Sequence, residues 1–259
     1  MRKEFAMNSK HDHIAVFDSG VGGISVLRQL RKLMPGEKYL YFGDSANAPY
    51  GTRPVHEVQK LSMAVADRLV GQGIKALVVA CNTSTAIGIE LLREKYPDLI
   101  IEGIRPAVDV AAELYAGGTV GVMATPVTVA AAKTRALMEA NAHKCKLIPL
   151  PAPGLVDLVE AGKGNSPETV ELLRPLLEPL KGQVDAIVLG CTHYPFATEA
   201  IREILGDVGF VDGGVVTAKN AYDRLAAADL ICEDSPEIVW QSSLDDPRIR
   251  ELSLQLLEM

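Results

Sequence analysis

Two stretches of this chain, 110 residues apart, end in the same way. Residues 76–86 read ALVVACNTSTA and residues 186–197 read AIVLGCTHYPFA. Each is a short apolar run that stops at a cysteine, Cys81 or Cys191, with small or polar groups just beyond. Under that shift Ala76 matches Ala186, Val78 matches Val188, Ala80 matches Gly190, and the cysteines coincide. A shift of 107 sets Asp18 against Thr125, each just after an apolar run of its own. Buried parallel strands all look alike, but burial alone does not require a thiol at both tips. The repeat therefore predicts two related α/β halves.

The rest of the chain alternates short β-branched runs with amphipathic stretches, the pattern of βα units around a parallel sheet. Residues 14–17 (IAVF) form a first strand. DSGVGG follows, then a helix with Ile24, Leu27, Leu30 and Met34 on one side. YLYFGD is a second strand, and SANAPYGTR is too rich in Pro, Gly and Asn for regular structure. Pro54 opens a helix striped by Val55, Val58, Leu61, Val65 and Leu69. KALVVA and LIIEGI supply strands three and four. A second set begins at TVGVMATPVTVAA, with a strand, polar Thr125 and a helix. It continues through KLIPL, helical segments, AIVLG and GFVD, and a helix from about Thr217. The tail, residues 237–259, shows no clear chemistry and is expected to pack on the outside.

With 259 residues, 48% of them hydrophobic and 23% charged, the chain has the composition of a soluble globular protein with a sizeable core. The net charge of −7 and the lack of basic runs argue against a general nucleic-acid or anionic-membrane surface. No apolar stretch is long enough to cross a bilayer. Residues 1–13 lack the apolar core of a signal peptide and read as a mobile leader. Four cysteines without CxxC spacing do not make a disulfide framework, so a reducing cytoplasm is expected. Cys145 and Cys232 have no polar constellation beside them and read as small buried hydrophobes.

In parallel α/β sheets, ligands gather outside the carboxyl ends of strands. The unusual polar residues of this chain fall at those ends: Asp18 and Ser19, Asp44, Cys81 with Asn82 and Thr83, Thr125, and Cys191 with Thr192 and His193. Two halves facing across a cleft would set two thiols on opposite sides of one small ligand. That arrangement suits inversion of a stereocentre, with a base on one face and an acid on the other. A helix N-terminus after each cysteine would lower the thiol pKa toward neutrality and offer N–H donors to a carboxylate. Asp18 and His193 are the candidates to assist the two sulfurs. Each residue alone has a plainer reading: a strand-end cysteine packs, a histidine satisfies a polar core, and DSGVGG is a tight turn that does not fit GxGxxG. A zinc site from Asp18, Cys81, Cys191 and His193 lacks any close ligand pair to anchor it.

Taken together, FDSGVGG, GDSANAPYG, ACNTS and GCTHYP, in this order and spacing, resemble the glutamate racemases of the aspartate/glutamate racemase superfamily, over about residues 14–230. The resemblance implies a cofactor-independent isomerase that supplies D-glutamate for bacterial cell-wall (peptidoglycan) synthesis. It implies an α/β fold of two pseudo-symmetric domains, each a mostly parallel sheet flanked by helices, with the active site in the cleft between them. The expected boundaries are 14–105, with part of the C-terminal segment from about 213 to 259, for the first domain and 106–212 for the second. Cys81 is then the thiol that works on the D-enantiomer and Cys191 the one that works on L-glutamate, assisted by Asp18 and His193. Ser19, Tyr50, Gly51, Asn82, Thr83 and Thr192 match positions that hold the substrate, together with Asp18 and His193. Glu160, in GLVDLVEAG, matches an acidic residue near the site, and Asp44 a loop-ordering one. No metal or cofactor is implied, and a homodimer is the default for such an enzyme. The sequence departs from the family at Arg105, in GIRPA, and at Gly213, in VDGG. Three readings stay open beside this one: an aspartate or broad-specificity racemase, a non-catalytic binding protein on the same scaffold, and a thiol redox protein.

Overall fold

The computed structural model describes residues 9–234 and 236–259. Among them are nine strands: β1 (His13–Asp18), β2 (Lys38–Gly43), β3 (Ile74–Val79), β4 (Ile100–Gly103), β5 (Thr119–Ala124), β6 (Lys146–Pro151), β7 (Ala186–Leu189), β8 (Gly209–Val211) and β9 (Glu237–Ser242). They form two sheets, ordered β4-β3-β1-β2-β9 and β6-β5-β7-β8, and every pairing is parallel. Read from its other edge, the second sheet runs β8-β7-β5-β6. It then matches β4-β3-β1-β2 strand for strand. The repeat seen in the sequence is thus a repeat of topology, with Cys81 and Cys191 just past equivalent strands.

Parallel strands covered on both faces need apolar residues at every position. In β1, Ile14 and Val16 face one core while Ala15 and Phe17 face another. The first core takes Ile24, Leu27 and Leu30 from the helix Ile24–Leu33, the three-residue spacing placing them on one side. The second takes Val58, Val65, Ala66 and Leu69 from the helix Val55–Val70. Each of the Ile, Leu and Val side chains among these, fully buried, contributes about 1.5–3 kcal/mol. A third core, which includes Val120, Val122, Val188 and Cys145, covers the outer face of the second sheet.

Several expectations change. Val55, expected in the buried stripe, is exposed at the helix start. The 45–53 loop carries two short 3-10 turns, Ser45–Asn47 and Tyr50–Thr52. The helix after Thr125 is broken at Ala131, whose extended backbone separates Pro126–Ala130 from Ala132–Asn141. The tail is not merely external: β9 adds an edge strand beside β2, and Trp240 tilts onto Tyr41 at 5.5 Å. Of the expected leader, residues 1–8 lie outside the described residues, Ser9 and Asp12 close a turn, and His13 already belongs to β1. No helix among the described residues is long and apolar enough to cross a membrane.

Candidate active site

Asp18 ends β1 and is fully buried. One carboxylate oxygen accepts from Gly20 N at 3.1 Å. The other accepts from Thr192 Oγ1 at 3.0 Å, a bond between the two halves of the chain. Burial pushes the Asp18 pKa up to about 6, against the lowering effect of His193 and of the Gly20 and Thr192 hydrogen bonds.

Cys81 caps the helix Asn82–Lys95. Its sulfur accepts from Ser84 N at 3.5 Å and lies 3.7 Å from Ser19 Oγ. The helix terminus does not bring this thiol toward neutrality. Burial, followed by the Asp18 charge, pushes it up to about 11, and the Ser84 and Ser19 hydrogen bonds recover only part of that.

Cys191 follows β7 but leads into a 3-10 turn, Tyr194–Ala197. The α-helix Thr198–Leu205 starts later, because Pro195 disfavours helical backbone at the residue before it. The expected helix N-terminus directly after this cysteine is therefore absent. His193 takes its place as the sulfur's polar neighbour, with Nδ1 at 3.6 Å. The other ring nitrogen, Nε2, is 2.6 Å from Glu160 Oε1. Burial lowers the His193 pKa, but the hydrogen bonds and charges of Cys191 and Glu160 outweigh it and leave it well above its ordinary value. A protonated imidazole has an N–H for each neighbour.

Glu160 ends the helix Leu155–Glu160 and also accepts from Val21 N at 2.7 Å. This explains the glycines of DSGVGG. A Cβ on Gly20 would collide with the Glu160 carboxylate, and one on Gly22 with the His193 ring and Thr192 Oγ1. They are close-approach glycines, at which two sheets meet. Gly51 serves the same purpose, since a Cβ there would collide with Thr125.

Thr83 is buried against second-half threonines, 3.3 Å from Thr125 Oγ1 and 3.2 Å from Thr128 Oγ1. Tyr50 is buried and donates to Asp44 Oδ2 at 2.5 Å. Asp44 also receives Asn47 Nδ2 at 3.0 and 3.1 Å, so it ties the 45–50 loop together. Asn82 is half-buried at the start of its helix and lines a cavity of about 100 Å³ with Arg105 and Thr128. Every sequence-selected residue thus lies at the carboxyl end of a strand or against those ends. Thr128 is the residue the sequence reading missed. Its signal is the Thr125–Thr128 spacing, in which Thr125 Oγ1 caps Thr128 N at 3.3 Å. The tail also borders the site: Glu160 shares a cavity of about 770 Å³ with Ser45, Asp246 and Arg248.

Two parallel α/β units of matching topology, each with a cysteine just past an equivalent strand and joined by the Thr192–Asp18 and Val21–Glu160 hydrogen bonds, define a two-unit α/β protein. The chain belongs to the Asp/Glu/Hydantoin racemase family, whose pattern matches residues 24–221. It is 42% identical to the glutamate racemase of Clostridium acetobutylicum over 256 residues, 98% of this chain and all of the relative. Among solved structures, the Francisella tularensis glutamate racemase in complex with D-glutamate superimposes with a TM-score of 0.85 at 29% identity, covering 96% of this chain and 95% of that one. The Escherichia coli glutamate racemase in complex with L-glutamate and an activator gives 0.81 at 30% identity, covering 95% and 94%.

Proposed function

We propose that this protein interconverts L- and D-glutamate by proton transfer at the α-carbon between Cys81 and Cys191, with no cofactor, and so supplies D-glutamate for peptidoglycan synthesis. The observation that carries this reading is the pair of buried thiols on equivalent strand ends of two domains. Both touch one polar network, through Ser19 beside Asp18 on one side and His193 on the other. In each turnover a thiolate removes the α-proton from one face, and the opposite thiol delivers its own proton to the other face. The carbanion in between has no electron sink, so its stability rests on oriented donors and exclusion of water.

At rest Cys81 is the thiol, since burial and Asp18 hold its proton on. His193, its Nδ1 3.6 Å from the Cys191 sulfur and its Nε2 braced by Glu160, is the group that assists Cys191 in removing the proton from L-glutamate. Ser19, Tyr50, Gly51, Asn82, Thr83 and Thr192 hold the substrate's ammonium and carboxylate groups, as in the family. The expected domain limits, 14–105 with 213–259 and 106–212, put one thiol in each domain. A reducing cytoplasm and a homodimeric assembly are the setting expected for such an enzyme.

Protein free of pyridoxal phosphate, incubated with L-glutamate in heavy water, should lose optical rotation as deuterium enters the α-carbon. L-Aspartate run alongside should stay unchanged. Exchange with aspartate alone would keep the chemistry and overturn the substrate. Silence with both would overturn the reading.

A further inference from the structure

The opposite ends of the same strands hold a second constellation. Cys232, expected to have no polar company, lies buried 3.7 Å from His11 Nδ1 and 3.2 Å from Asp234 Oδ1. Ligand atoms of these three side chains all fall within 4.8 Å of one another. We infer that His11, Cys232 and Asp234 form a binding site for a zinc-class divalent cation, joining the start of the described chain to the segment that follows the helix Gly214–Ala227.

The spacing fits such an ion. Around tetrahedral zinc, with bonds of about 2.3 Å to sulfur and 2.0–2.2 Å to nitrogen and oxygen, neighbouring ligand atoms stand about 3.5 Å apart. A thiolate and an imidazole in the set select zinc over magnesium or calcium, which prefer all-oxygen shells. His11 and Asp234 are exposed, leaving room for water as the fourth ligand. On binding, the Cys232 thiol proton leaves to solvent as the sulfur–metal bond forms.

The surroundings hold the ligands in place. Lys75 and Glu37 form a fully buried ion pair at 2.7 Å. The same ammonium donates to Lys10 O at 2.6 Å and Leu230 O at 2.8 Å, gripping the backbone one residue before His11 and two before Cys232. Glu37 Oε1 accepts from Cys232 N at 2.7 Å. Gly36 leaves room for the Glu233 backbone, which a Cβ there would strike. His11 N is in turn held by Ser9 Oγ at 3.2 Å. One buried pair thus positions two segments 221 residues apart, and ligands held in this way by their neighbours are what a metal site needs. The length of β1 separates it from the racemase thiols by about 20 Å.

Cobalt(II) titration of the full-length protein tests this, because a thiolate–cobalt charge-transfer band reports a sulfur ligand directly. The wild type should take up one cobalt with that band, and zinc should displace it. Cys81→Ser/Cys191→Ser should keep the band, while His11→Ala and Cys232→Ser should lose it, each weakening zinc by at least about 100-fold. His11→Ala should retain wild-type racemisation, which shows that it is folded. No band, a band that survives His11→Ala, or a band that vanishes in the Cys81→Ser/Cys191→Ser protein would overturn the site.

Discussion

Arg105 and Gly213 touch backbone to backbone. The Arg105 carbonyl fills the space where a Cβ on Gly213 would stand, and Thr217 Oγ1 joins the two, accepting from Arg105 N at 2.9 Å and donating to Gly213 O at 2.6 Å. These residues lie on the two stretches of chain that pass between the sheets, one between β4 and β5 and one between β8 and β9. The two positions that the sequence resemblance set apart, Arg105 and Gly213, therefore form one structural feature, a single tied crossing. Gly213→Ser would push the new side chain's Cβ into that carbonyl and should cost about 1–3 kcal/mol. Thr217→Val leaves the Arg105 N–H unpaired and should cost a similar amount, about 1–3 kcal/mol. Denaturant midpoints of the two variants check both values.

Replacing either thiol should stop the reaction without unfolding the protein. Cys81→Ser and Cys191→Ser change little volume at buried positions, and each should lower racemisation by about 10²–10⁴-fold, the range for loss of a positioned acid or base. Polarimetry gives the rates, and an unchanged melting temperature shows that the fold survives. Wild-type turnover by Cys191→Ser would be incompatible with two-thiol transfer.

The two sulfurs should differ in reactivity. Cys81 is held as a thiol, while Cys191 faces imidazolium His193. Brief treatment with iodoacetamide at pH 7, followed by peptide mass spectrometry, should find Cys191 alkylated before Cys81. Glu160→Gln should slow the Cys191 reaction, because neutral glutamine no longer supports the imidazolium.

Asp18 should make stability depend on pH. Its folded pKa is raised from 3.8 to about 6, so its contribution to stability is fully present below about pH 4 and is lost as pH rises through 6. The displacement corresponds to about 3 kcal/mol. Between pH 4 and 7 the stability of wild type relative to Asp18→Asn should fall by about that amount, measured by urea unfolding. A difference that stays flat over this range would mean that Asp18 keeps an ordinary pKa.

Gly22→Ala tests the close approach. The added methyl group must displace the His193 ring, and a shift of about 1 Å in a catalytic group costs about 10²-fold in rate. Gly73→Ala has open space but a left-handed backbone, φ 75°, so it should cost stability and leave the rate alone.

What the sequence reveals, and what it hides, follows from the range of each interaction. β3 and β7 are legible because a buried parallel strand is a local apolar run, and their cysteines stand out because two runs end alike. Gly20 and Gly22 of DSGVGG carry no local sign of their purpose, since Glu160 and His193 approach from more than a hundred residues away. Cys232 reads as a plain hydrophobe for the same reason, with His11 at the other end of the chain. β9 is hidden because its three-residue apolar core, Ile238 to Trp240, is too short to signal a strand without β2 beside it. The electrostatics of Cys81 divide in the same way: the helix N-terminus is visible in the sequence, but the depth of burial is not.

The unequal settings of the two thiols reach into the kinetics. In solution L- and D-glutamate are mirror images, so their equilibrium constant is unity and kcat/KM must be the same in both directions. The protein is under no such obligation to treat the enantiomers alike. Ser19 and Ser84 surround one sulfur, and an imidazole braced by a carboxylate faces the other. Maximal velocity and half-saturation are therefore each free to differ between the enantiomers, provided that they differ by the same factor. Similar topology gives the two domains matching thiols, while the side chains around them let the enzyme hold one enantiomer more tightly and turn it over more slowly.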